Sequence, residues 1–99
     1  MVRQYRTFEG FRTFEDFLVW LRKFVVTATD EELVKEARSW RFMMVNHQEY
    51  ILRFADSWSM DKLRVELDDE RYAFLSLGVC EVELKRRGLD IDTFMFPIA

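Results

Sequence analysis

The chain has 99 residues, with 15 Lys and Arg, 18 Asp and Glu and a formal net charge of −3. This length fits one domain and excludes a second independent core, while a hydrophobic content of 49% argues against disorder. The acidic balance disfavours general binding to nucleic acid or to anionic lipid surfaces. We therefore expect one folded domain over residues 1–99.

Residues 1–12 alternate arginine, glutamate and aromatic side chains and are predicted to form an extended arm. They carry no apolar region typical of a signal peptide, and no stretch of 18 apolar residues occurs in the sequence, so we predict neither export nor membrane insertion. Arginines interleaved with aromatic rings can hold single-stranded nucleic acid, and the candidate contacts are Arg3, Arg6 and Arg12. A solvated arm whose rings cover the core explains the same pattern more simply.

A first helix is predicted over about residues 14–26. Thr13 is a suitable N-cap, and Glu15 and Asp16 place negative charge in the first turn, where the helix dipole favours it. Apolar side chains then recur at helical spacing, at Phe14, Phe17, Leu18, Leu21, Phe24 and Val25.

A long second helix is predicted over about residues 30–57. It opens with a capping box, in which the hydroxyl of Thr29 and the carboxylate of Glu32 satisfy each other's backbone N–H groups. Apolar side chains then follow at alternating steps of four and three residues, which is the spacing of a heptad seam. The seam consists of Leu33, Ala37, Trp40, Met44, His47, Ile51, Phe54 and Trp58.

Part of this seam is predicted to bind a partner. A helix of this length spans about 40 Å, and a small domain has few other helices with which to cover it. Phe42 adds an aromatic ring on the polar side of the helix, among Lys35, Arg38, Glu49 and Arg53; cover by the C-terminal tail is its alternative explanation. The candidate partner-binding residues are Trp40, Phe42, Met44, His47, Ile51, Phe54 and Trp58.

Two segments allow a β interpretation. A hairpin of residues 41–45 and 50–54 is the alternative to the long helix, although neither run alternates cleanly. Residues 62–67 do alternate and fit a short strand, whereas Ser59 fits the cap of a helical turn. The conformation of residues 62–67 therefore stays open at this point.

A last helix is predicted from the acidic residues 68–70 to Gly88, which fits the C′ position after three basic residues. Its apolar side chains form two stripes, so we expect the helix to be covered on two sides and to lie centrally. One stripe is Tyr72, Leu75, Val79 and Val82, and the other is Ala73, Leu77, Cys80 and Leu84. The apolar tail, residues 89–99, is expected to pack on the body or on a partner.

No group of residues in the sequence matches a catalytic motif. His47 is the single histidine, which excludes sites with two histidine ligands, and Cys80 is expected to be a buried thiol rather than a nucleophile. Histidine on the seam allows a pH-sensitive interface, although a satisfied, partly buried ring is the simpler interpretation. The carboxylates at 30–32 and 68–70 fit helix N-termini. We expect no enzyme activity, no cofactor and no metal.

Taken together, these patterns predict a mainly α fold, a compact bundle of three to four helices with a long central helix; an α+β fold with a small hairpin or sheet is the alternative. A single cysteine allows no intramolecular disulfide and suits the cytoplasm. The predicted function is a small non-enzymatic protein-binding module, an inhibitor, adaptor or regulator of a larger protein or nucleoprotein complex. It would be of mobile-element or immunity type, with a homodimer as an alternative state. The alternative function is a nucleic-acid-associated regulator that uses the arm, although direct nucleic-acid binding and membrane contact are not expected.

Overall fold

The computed structural model describes residues 11–91, which form three α-helices. Helix α1 is Phe14–Thr27, α2 is Asp30–Phe54 and α3 is Met60–Arg87, and a 3-10 turn at Ala55–Ser57 prolongs α2. The mainly α fold and the long central helix over residues 30–57 are thus confirmed. No strand occurs within residues 11–91, so neither the hairpin at 41–54 nor the strand at 62–67 is formed. The predictions for the start of the arm and the end of the tail lie outside this range.

Side chains placed at the helix ends explain where each helix starts and stops. The hydroxyls of Thr13 and Ser59 accept the N–H groups of the residues three positions later, and Thr29 forms the complete capping box with Glu32. At the end of α3, Gly88 has a φ of 76°, a left-handed conformation that glycine adopts at no steric cost. The N–H groups there bond back to the last carbonyls of the helix.

Helix α3 begins eight residues earlier than the acidic cluster at 68–70 predicts. Ser59 starts it, and residues 62–67 continue it as helix, with Glu66 buried and Val65 and Leu67 exposed. Two of the three apolar side chains that suggested a strand, Val65 and Leu67, therefore point outward, Leu63 is half-buried, and the carboxylate of Glu66 points inward. Lys62 compensates the burial of this carboxylate with an ion pair of 2.6 Å.

Helices α2 and α3 form the main contact of the fold, and α1 packs mainly on α3. Asp30 at the start of α2 pairs with Arg87 at the end of α3, so these two helices are antiparallel. Phe14 at the start of α1 stacks on Tyr72 with ring centroids 4.4 Å apart, while Arg87 donates to the carbonyl of Val25 near the end of α1. Helix α1 therefore runs parallel to α3 and covers the half of the hairpin that contains the start of α2.

The core lies at this three-helix end. Its buried side chains belong to α1 and the residue after it, the first half of α2 and the second half of α3: Phe14, Phe17, Leu21, Val25, Ala28, Leu33, Val34, Ala37, Trp40, Ala73, Leu77, Cys80 and Leu84. At the other end, α2 and α3 continue without α1, and large apolar side chains there, Leu52 and Met60 among them, are mostly exposed. Within residues 11–91, no helix has the length and apolar character that a membrane crossing needs.

Candidate docking surface

The outer face of α3 is apolar and open. As predicted, the stripe Ala73, Leu77, Cys80 and Leu84 is buried. The other stripe is not covered as predicted: Leu75 is 37% exposed and Val82 is 73% exposed. Helix α1 packs mainly on α3 and reaches α2 through the Phe17–Trp40 ring contact, and in this position it leaves Leu75 and Val82 open.

The open stripe forms one wall of a groove between α1 and α3, which we call the α1–α3 groove. Its volume is about 560 Å³. Phe74, which is 61% exposed, and Val26, which is 62% exposed, add apolar surface on either side. The groove is lined by Arg22, Val25, Val26, Phe74, Leu75, Gly78, Val79, Val82 and Glu83. Contiguous exposed apolar surface of this kind is typical of an interaction site.

Gly78 keeps the groove open. It lies one turn after Leu75 and one turn before Val82, and a Cβ atom built on it meets no other atom within 4 Å. A larger side chain at this position would project into the space between these neighbours. The missing side chain thus leaves room for one from another molecule.

Basic side chains flank this apolar surface. Arg22 lies at the α1 side of the groove. On α3, Arg71 is one turn before Leu75 and Lys85 is one turn after Val82, and all three cationic residues are exposed. Three exposed basic residues thus surround the apolar centre, while Glu70 and Glu81 place acidic groups one turn from Phe74 and one turn from Gly78.

Glu83 belongs to an ion-pair network that fixes one wall of the groove. Arg86 and Arg87 both donate to its buried carboxylate, and these hydrogen bonds hold the pKa of Glu83 at about 2, below its usual 4.5. Arg87 also bonds to Asp30 and to the carbonyl of Val25, so one guanidinium joins all three helices. This network therefore links the three helices beside the groove.

We expect Glu83→Gln to flatten the acid unfolding profile. A carboxylate whose folded pKa is depressed adds stability above its unfolded pKa of about 4.5, and this stability is lost as the pH falls through the folded pKa of about 2. Urea unfolding at several pH values should therefore show that the free energy of unfolding falls less in the variant than in the parent between pH 4.5 and 2. Glu81→Gln, which changes an exposed carboxylate on the same helix, is the control. If the free energy of unfolding depends on pH in the same way in Glu83→Gln and in the parent, the ion-pair network does not stabilise the fold.

The predicted partner-binding residues do not form one surface. Trp40 and Ile51 are buried and unavailable to a partner, while Met44 and His47 are half-buried. Phe54, 46% exposed, and half-buried Trp58 both contact the ring of Tyr50 at the two-helix end.

Phe42 is 65% exposed, and no side chain within residues 11–91 covers it. Val45 and Leu52 lie on the same side of α2 and are also exposed, but the charged Glu49 falls between them. This second face offers separate apolar side chains rather than a continuous groove.

Phe74 and Val26 were not predicted from the sequence as site residues. The sequence feature that indicates this surface is the apolar stripe from Tyr72 to Val82, with Phe74 and Gly78 beside it. For the alternative arm surface, Arg12 is exposed, and Arg3 and Arg6 lie outside the part of the chain that the structure describes. Comparison with protein families, with curated proteins and with solved structures gave no match.

Proposed function

We propose that this protein is a non-enzymatic binding module that acts as an inhibitor, adaptor or regulator of a larger protein, which it holds in the α1–α3 groove. The observation that carries the proposal is the continuous apolar lining of Phe74, Leu75, Val79 and Val82 on the open side of α3. Burial of aromatic and branched apolar side chains supplies most of the affinity of protein interfaces. The α3 surface presents these residues on a rigid helix.

The partner segment that fits this surface is an amphipathic helix with acidic flanks. The apolar stripe from Leu75 to Val82 extends over about 10 Å at 1.5 Å per residue, which matches two turns of a docked helix. Such a helix anchors through side chains at positions i, i+3 or i+4, and i+7. Carboxylates beside these anchors would meet Arg22, Arg71 and Lys85 at the edge of the groove.

Phe74→Ala is expected to weaken partner binding at least about thirtyfold, the effect of losing a hot-spot side chain worth about 2 kcal/mol. The matched control is Phe42→Ala, because Phe42 is 65% exposed and Phe74 is 61% exposed, both on helices. The partner is captured from the native host, purified, and titrated with each variant by calorimetry. Circular dichroism verifies that both variants keep the parent's helix content.

The pair of variants distinguishes two docking surfaces. A loss confined to Phe74→Ala supports the α1–α3 groove, whereas a loss confined to Phe42→Ala would place docking on the outer face of α2 and refute the proposal. Native mass measurement of the oligomeric state tests a third possibility, self-association of this chain. If Phe74→Ala converts a dimer of this chain into monomers and no other protein binds the groove, the groove serves self-association and the proposed function is wrong.

A further inference from the structure

One histidine and two carboxylates converge between α2 and α3, away from the groove. His47 lies on α2, while Glu66 and Asp69 lie on α3 one turn apart. Their ligand atoms all lie within 4.8 Å of one another, with Glu66 buried and the other two residues half-buried. The cluster stands near the two-helix end of the bundle, beyond the cover that α1 provides.

The distances in this cluster fit two ligands of one metal ion. In the absence of an ion, the Nε2–H group of His47 donates to Oε1 of Glu66 and to the backbone oxygen of the same residue, each 3.0 Å away. Ligands bonded to one Zn²⁺ at about 2.0–2.2 Å stand about 3.0–3.5 Å apart. Lys62 binds the other carboxylate oxygen, Oε2, at 2.6 Å, and so leaves Oε1 directed to the histidine. Lys62 also balances one of the two negative charges of Glu66 and Asp69.

We propose that this cluster binds one divalent transition-metal ion of the Zn²⁺ class. The ligands are Nε2 of His47, Oε1 of Glu66 and one carboxylate oxygen of Asp69, and water completes the coordination. The proton of the neutral imidazole resides on Nδ1 when Nε2 binds the ion. The sequence excludes sites with two histidine ligands, but an imidazole with two carboxylates is a suitable set for zinc.

The ion would join α2 to α3 through ligands from both helices. This link falls where the hairpin lacks the third helix, so it would stabilise the least covered part of the fold. An ion that binds only the folded chain shifts the equilibrium toward the folded state. The unfolding temperature should therefore rise as the metal concentration increases.

The test is calorimetric titration of the full chain with ZnCl₂, together with visible absorption after Co²⁺ is added. We expect one Zn²⁺ per chain and a rise in the unfolding temperature. Asp69→Asn should weaken binding at least about tenfold, since even the loss of an outer-shell partner costs 10–100-fold. Asp68→Asn is the matched control because it changes the exposed neighbouring carboxylate and should bind like the parent.

Two further readouts keep the outcome decisive. His47→Gln keeps an amide donor toward Glu66 but offers no imidazole nitrogen, and it should abolish the Co²⁺ absorption bands. If this variant fails to fold, a shift of the His47 ring signals in the NMR spectrum of the parent on Zn²⁺ addition supplies the same information. Absence of saturable binding, or equal binding by Asp68→Asn and Asp69→Asn, would overturn the proposal and leave the cluster as a helix-to-helix hydrogen-bond network.

Discussion

Trp40→Ala is expected to lower the free energy of unfolding by about 3–5 kcal/mol, the range for deleting a large aromatic side chain from a core. Trp40 is 1% exposed and is among the largest fully buried side chains. Its ring contacts that of Phe17, so it joins α2 to α1, and its indole N–H donates to Glu36 at 2.9 Å. Alanine would leave a cavity where the three helices meet and would remove the donor to that carboxylate.

Urea unfolding followed by circular dichroism measures this effect. Phe42→Ala, on the same helix and two residues away, is the control and should stay within about 0.5 kcal/mol of the parent because its ring is mostly exposed. A loss below about 1 kcal/mol for Trp40→Ala would show that Trp40 is not central to the core. Such a result would return this residue to the candidate partner surface that its sequence position suggested.

The second large effect concerns Cys80, which should resist thiol reagents in the folded protein. Its side chain is fully buried. Burial raises the pKa of the Cys80 thiol well above its usual range, and the negative charge of Glu36 acts in the same direction. The thiolate is the reacting form, and it is buried and disfavoured in the folded chain. The reagent therefore reacts with Cys80 only after the helices open.

We expect labelling of Cys80 by Ellman's reagent at neutral pH to be at least about 1,000-fold slower in the native chain than in urea, given a folding stability of about 5 kcal/mol or more. Absorbance at the thiolate product wavelength gives both rates directly. Cys80 in the Trp40→Ala variant should be labelled faster than in the parent, because the helices of the destabilised variant open more often. Comparable rates in the native and urea-unfolded parent would contradict the buried position of this thiol.

Much of the fold was predictable because the signals for helix ends are local. Thr13, Thr29 and Gly88 act on backbone groups within a few residues, so the sequence is enough to locate α1, α2 and the end of α3. The start of α3 was harder to predict. Glu66 is buried against Lys62 and His47, and the latter contact joins residues 19 positions apart. Local alternation of apolar residues cannot show such a partner.

The candidate site was predicted less well because it depends on how helices pack. The heptad seam of α2 is real, but α1 and α3 cover its first half and bury Trp40. Conversely, Val82 and Leu75 stay open because α1 packs beside α3 and not on its outer face. The apolar stripes were visible in the sequence, whereas the choice of which stripe is covered follows from contacts between distant residues.

Photo-crosslinking from the outer face of α3 tests the docking surface most directly. A benzophenone amino acid replaces Phe74 in one version of the chain and Phe42 in the other, and each version is irradiated in the native host. We predict a covalent adduct of defined mass between position 74 and one other protein, with far less of it from position 42. Adducts from position 74 that map within the same chain, for example to residues 92–99, or equal yields from both positions, would contradict it.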